Sequence, residues 1–246
     1  MSTSPFWQVN LRMRVLPTLK SLLAGAVLFA AVGVAANASA QTRLHGMNAH
    51  GEHGSAGGGG YTNWSGGATT HQGRHWADGV NGGNFSGHNS YSKNPDGSAL
   101  ANFSNAGHTS AGGNFAGNGS YSRGTNGSWS GNSQSSGSGP HGSYATSTST
   151  ANGVTTHTAT ATNANGQTYD HSGTYTQGQG YNRSASGPNG NYNTAVTNSN
   201  GATSRNTNAT NASGASYKGN TSYTPGQGYT HSASCTNASG ATVSCN

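Results

Sequence analysis

The chain has 246 residues, of which 30% are hydrophobic and 6% charged, with a formal net charge of +6. A globular domain usually carries an apolar share of ~45–50%, so a conventional oily core is excluded. So little charge also excludes a polyelectrolyte held open by self-repulsion. Beyond residue 40 there is no Ile, and Leu44 and Leu100 are the only leucines. Ordering a residue costs roughly 1–2 kcal/mol of backbone entropy, and burial returns roughly 25 cal/mol per Å². With 41 Gly in the chain the cost is at its highest. The chain is therefore expected to be all-β or largely disordered. In the all-β case it is an open array of short antiparallel strands joined by Asn-Gly and Gly-rich turns, preceded by a flexible Gly-rich segment.

Residues 1–40 read as a secretory signal. Arg12, Arg14 and Lys20 precede an apolar run from Leu22 to Ala36, and Ala38-Ser39-Ala40 supplies a small-x-small cleavage pattern before Gln41. The run is shorter than the ~20 residues that span a bilayer. The membrane is thus expected to be met only transiently, and the product to be secreted, periplasmic or held at a cell surface, as in bacterial export. Met13-Arg14 would make a more typical start than Met1.

Residues 41–81 contain the run Gly57 to Gly60 together with Trp64 and Trp76, and read as a flexible Gly/His-rich segment. Residues 82–130 carry a shorter repeat. Gly82-Gly83-Asn84-Phe85 returns as Gly112-Gly113-Asn114-Phe115, and Ser90-Tyr91-Ser92 as Ser120-Tyr121-Ser122. Residues 131–138, rich in Gly and Ser, read as a linker.

Residues 139–246 carry a longer repeat of 48 residues, with units 139–186 and 187–234. Gly139-Pro140-His141-Gly142-Ser143-Tyr144 returns as Gly187-Pro188-Asn189-Gly190-Asn191-Tyr192, and the Tyr175–Tyr181 block as Tyr223–Tyr229. Turn signals recur at Asn152-Gly153, Asn165-Gly166, Gly178-Gln179-Gly180, Pro188-Asn189-Gly190, Asn200-Gly201, Ser213-Gly214, Pro225-Gly226 and Ser239-Gly240. Asn-Gly between strand-like runs is a strong hairpin signal, because both residues tolerate positive φ. Thr156 to Thr162 alternates with period two, and Thr favours strands. Each unit therefore reads as about four strands. Tyr144, Tyr169, Tyr175, Tyr181, Tyr192, Tyr217, Tyr223 and Tyr229 are expected to supply the packing.

Little in this sequence points to chemistry. Hydrolysis needs a nucleophile, a base and an orienting group held together. The acids after residue 40 are Glu52, Asp78, Asp96 and Asp170, and Asp170 and His171, adjacent on a strand, are expected to face opposite ways. No catalytic residue, no enzyme activity and no cofactor are expected. His45, His50 and His53 cluster with Met47 and Glu52 as a candidate metal site, and His71 and His75 follow at a spacing of four. Thr156 to Thr162 resembles the Thr-x-Thr arrays of ice-binding proteins, but the second unit carries Ser204, Asn206, Asn208 and Thr210 at those positions. Arg123, Arg183, Arg205 and Lys218 stand apart in the sequence, so no nucleic acid is expected as a partner. Cys235 and Cys245 flank a turn and, in an oxidising compartment, are candidates for a disulfide staple. Two free thiols or intermolecular bridges are the alternatives.

The leader, the Gly-Pro-x-Gly and Tyr-Thr-x-Gly-Gln-Gly-Tyr blocks and the terminal Cys pair resemble exported bacterial low-complexity repeat proteins of unassigned activity. The Gly/Asn/Gln-rich strand–turn pattern is also similar to that of curli-type amyloid subunits. These resemblances imply a structural protein and no catalytic residues. The expectation is a non-enzymatic structural, matrix or surface protein acting by self-association or adhesion, its partner being itself or a surface or matrix polymer. A monomeric β-repeat module binding a surface polymer, and a disordered periplasmic chain binding metal weakly through its histidines, are the alternatives.

Overall fold

A computed structural model describes residues 41–245. The expected leader, residues 1–40, lies outside the described residues. The described chain is all-β and forms one antiparallel sheet of 16 strands in strict sequence order. The first seven are β1 (Gln41–Gly51), β2 (Gly54–Ser65), β3 (Ala68–Gly79), β4 (Asn84–Lys93), β5 (Ala99–His108), β6 (Asn114–Arg123) and β7 (Trp129–Gly139). The first 48-residue unit contributes β8 (Gly142–Ala151), β9 (Val154–Asn163), β10 (Thr168–Thr176) and β11 (Gly180–Gly187). The second contributes β12 (Gly190–Ser199), β13 (Ala202–Asn211), β14 (Ser216–Thr224) and β15 (Gly228–Thr236), and β16 (Thr242–Val243) ends the sheet.

The turn chemistry accounts for this meander. Asn152-Gly153 has φ of 51° and 75°, and Asn200-Gly201 has 50° and 77°. Positive φ at both central residues marks the tight turn whose twist matches that of the strands it joins. A second kind of loop closes 94–98, 163–167, 211–215 and 237–241. At 163–167 the Gly166 amide donates to the Asn163 carbonyl oxygen at 3.0 Å, and the Asn163 amide to the Gln167 carbonyl oxygen at 3.0 Å. Asn163 Oδ1 accepts from the amides of Asn165 and Gln167, both at 3.0 Å, which pre-forms the bend. Every turn expected between residues 152 and 240 falls at a connection between strands, with Gly180 and Gly190 as the first residues of β11 and β12, and each 48-residue unit holds the expected four strands. The shorter repeat spans two strands, since Phe85 of β4 returns as Phe115 of β6. Both repeats contain an even number of strands, which restores strand direction at each return.

Two expectations are corrected. Residues 41–81 are not a flexible segment but carry β1, β2 and β3, and 131–138 is not a linker but the body of β7. The reason lies in the neighbouring strands. Glycine in an isolated run favours disorder, but here glycines sit under aromatic rings from the next strand. A Cβ on Gly57 would meet Trp76 Cε2 at 2.8 Å, and one on Gly137 would meet Tyr144 Cε1 at 2.5 Å.

No second layer covers the sheet among the described residues. Among the described residues the buried non-glycine side chains are Ala99 and Ala101, both 9% exposed, and Thr194, 2% exposed. No large side chain of the described residues is fully buried. Order therefore rests on the continuous hydrogen-bond ladder and on packing across each face.

Candidate functional site

Strict register through every strand pair gives the sheet two chemically distinct faces. Residues directly opposite in an antiparallel ladder project to the same side, and neighbours along a strand project to opposite sides. One row can be followed across β1 to β15: it includes Arg43, Tyr91, Tyr121, Tyr175, Tyr181 and Arg205. Extending that parity places every Phe, Tyr and Trp of the described strands on the same face, except Tyr61 and Trp76. This is the ring face. All the tyrosines expected to pack, from Tyr144 and Tyr169 to Tyr223 and Tyr229, lie on it.

Several rings of this face, Phe103, Phe115, Tyr121, Tyr144, Tyr169 and Tyr217 among them, lie against glycines instead of entering a core. Phe85 and Phe115 flank Gly107 from β4 and β6, with centroids 5.9 Å apart and planes stacked. Phe103 covers Gly119, where a Cβ would come 2.5 Å from Phe103 Cε1. Tyr121 hydrogen-bonds Ser133 through its hydroxyl at 2.7 Å. Tyr223 and Tyr229 pair with centroids 4.9 Å apart. Other rings of the face keep an outward surface: Tyr175 is 51% exposed, Tyr229 79% and Trp129 47%.

The opposite face is a lawn of Ser, Thr and Asn. Its side chains bond to one another across strands: Ser172 to Ser184 at 2.6 Å, Ser222 to Thr230 at 2.6 Å, and Asn220 Nδ2 to Asn206 Oδ1 at 2.7 Å. Thr156, Thr158, Thr160 and Thr162 stand here, as do Ser204, Asn206, Asn208 and Thr210 of the second unit.

Charge is divided between the faces. Arg43, Lys93, Arg123, Arg183 and Arg205 stand on the ring face, all exposed. Asp78 and Asp170 stand on the hydroxyl face, balanced there by Arg74 and Lys218. Glu52 and Asp96 lie in turns. The ring face thus carries cations and, among the described residues, no carboxylate. Sequence reasoning missed this, because cations scattered along the chain converge only once odd and even positions are assigned to faces.

Histidines join the ring face in pairs. His45 and His71 have ring centroids 5.5 Å apart, and His157 and His171 lie 5.6 Å apart. Arg183 Nε donates to His171 Nε2 at 2.8 Å. Burial, then the nearby His45, holds His71 below the ordinary histidine range. Burial, then Arg183 and His157, does the same for His171. Asp170 faces away from His171, as expected, and accepts from Thr160 Oγ1 at 2.8 Å.

The expected metal cluster is not assembled. His45 stands on the ring face, His50 on the hydroxyl face and His53 in the turn before β2. The two-residue period of β1 separates the first two, and among the described residues no group of three His, Cys, Asp or Glu converges. Cys235 and Cys245 are joined by a disulfide with Cα atoms 5.3 Å apart, tying β15 to the segment after β16. Comparison with known families, with curated proteins and with solved structures finds no match for the chain.

Proposed function

We propose that this is an exported structural protein of a matrix or cell surface, acting by self-association and adhesion. The observation that carries the reading is a sheet of 16 strands with no second layer among the described residues. Among the described residues such a sheet leaves both faces and its first strand open, and β1 is exposed over all its residues from Gln41 to Gly51. An unpaired edge is a template for another strand. The hydroxyl face suits contact with a second copy: its described charges are balanced, and from β8 to β13 its side chains are short, which lets two sheets approach closely. The ring face does not suit pairing with itself, because like charges would meet.

Sedimentation velocity of residues 41–246 across a hundredfold concentration range tests this reading. The expected result is a shift to larger species as concentration rises, suppressed when Thr158, Ser172 and Ser184 are replaced by Lys. A monomer at every concentration would favour a β-repeat module that binds a surface polymer alone.

A further inference from the structure

We propose that the ring face is the docking surface for a linear anionic polysaccharide, laid across the strands along the long axis of the sheet. The argument is charge complementarity combined with ring geometry. Arg43, Lys93, Arg123, Arg183 and Arg205 are exposed on this face, and both described carboxylates that lie in strands project from the other. The row holding Tyr91, Tyr121, Tyr175 and Tyr181 crosses the sheet from β1 to β15. At ~4.8 Å per strand that row is on the order of 65 Å long. A strand spacing of this size is close to the rise of one sugar ring in an extended glycan. Successive rings of the polymer can therefore meet successive strands in step.

Tyr121 lies against Gly131, and Tyr175 and Tyr181, opposite each other on β10 and β11, are 51% and 41% exposed, so the row presents phenol surface to the polymer. The C–H face of a sugar packs on that surface, while the interspersed cations meet its acid groups. Cation density selects the class. The ring face offers roughly one cation per 13 Å of row, at ~4.8 Å per strand. A strand of duplex nucleic acid carries a phosphate about every 3.4 Å, far denser than the face could neutralise. A glycan whose acidic sugars alternate with neutral ones matches better.

This inference does not depend on self-association, and it is tested below the concentration at which larger species form. The probe is hyaluronan, in which uronate and neutral sugars alternate. Dextran serves as the neutral control and poly(dT) as the nucleic-acid control. Affinity electrophoresis of residues 41–246 is expected to show retardation by hyaluronan and none by dextran. Raising salt from 50 to 250 mM should weaken binding at least fivefold. Arg183→Gln with Arg205→Gln should weaken it at least fivefold, and Tyr175→Ser with Tyr181→Ser at least tenfold. Arg74→Gln with Lys218→Gln, on the hydroxyl face, should leave it unchanged. Circular dichroism confirms that each variant keeps its β signal. If an arginine pair fails to fold, Lys93→Gln with Arg123→Gln replaces it. Absence of hyaluronan binding by folded protein overturns the proposal. So does equal loss in the hydroxyl-face variant, or tighter binding of poly(dT) through the same residues. Loss of binding with self-association intact would leave the structural role standing.

Discussion

Gly137 faces Tyr144 across the β7–β8 ladder, and this pairing reverses the usual value of a side chain in a strand. Valine normally outranks glycine in strands, on a scale spanning ~1 kcal/mol. At Gly137 an added Cβ would lie 2.5 Å from Tyr144 Cε1 and 3.0 Å from the Asn114 carbonyl oxygen. Gly137→Val must therefore lift the ring that holds β7 in place, and should destabilise by about 1–3 kcal/mol. Ser136→Val, one residue away and exposed on the hydroxyl face, should be neutral or stabilising. Urea unfolding of the two variants decides: a Gly137→Val protein as stable as the parent would show that the ring does not hold the strand. The histidines give a second residue-scale expectation. His71 and His171 are held below the ordinary value of 6.5, by burial first in each case. As pH falls through that value, the unfolded chain takes up protons that the folded sheet resists. The stability these groups allow is complete above about 6.5 and is lost as pH falls toward and through their lowered folded values. The urea midpoint should therefore drop between pH 7.5 and 5, and His71→Gln with His171→Gln should flatten that slope. Asp96, lowered from 3.8 by its Ser98 hydrogen bonds, acts only below this window. A midpoint that rises on acidification would contradict the assignment.

At the scale of an element, β16 shows what a covalent staple does to an edge. It pairs with β15 only through Cys235↔Val243 and Thr236↔Thr242, too little to hold two strands together in water. The Cys235–Cys245 bond and the Asn237 turn, where Asn237 Oδ1 accepts from the Ser239 and Ala241 amides at 3.1 and 2.9 Å, keep it closed. Cys235→Ser with Cys245→Ser should abolish amide protection at 242–243 while changing global stability by less than the ~2–4 kcal/mol of a typical disulfide. A loss of the whole sheet's far-UV signal would instead make the staple a requirement of folding. The turns around this edge were legible in the sequence because they depend on local chemistry: Asn237, Ser239 and Gly240 lie within one loop. The strands of the 48-residue units were legible for a related reason, since Thr156 to Thr162 alternates without help from elsewhere. β2 and β7 were not. The run Gly57 to Gly60 acquires order from Trp76 on β3 and His45 on β1, and Gly131 and Gly137 acquire it from Tyr121 and Tyr144. A reading that treats each segment alone sees only missing side chains there. A search for aromatics opposite glycines at hairpin register would have found both strands. The same limit hid the cationic face, since Lys93 and Arg205 share a side only through the register of every strand between them.

Among the described residues each strand touches only its sequence neighbours, so stability is close to a sum of nearest-neighbour ladders. In a two-layer fold, opening one strand exposes a shared core and brings down the rest. Here, opening β1 exposes one ladder and leaves β2 to β16 intact. The free energy of opening should therefore be lowest at the β1 end and highest where the sheet is best packed. That region is β5 and β6, where Ala99, Ala101, Gly117 and Gly119 are buried. Native-state hydrogen exchange of residues 41–246, at a concentration where the protein is monomeric, should show protection falling by several orders of magnitude from β5 and β6 toward β1. Urea unfolding should be broad, with an m-value below that of a cooperative domain of this length. The disulfide makes the two ends unequal. β15 lies near an edge as β1 does, but the Cys235–Cys245 bond holds β16 against Cys235 and Thr236, so β15 should exchange more slowly there than β1 does at any position. Uniform protection across the strands, together with a single sharp transition, would mean that the ring face couples distant strands as a core does. The sheet would then be a cooperative unit, and the nearest-neighbour account would fail.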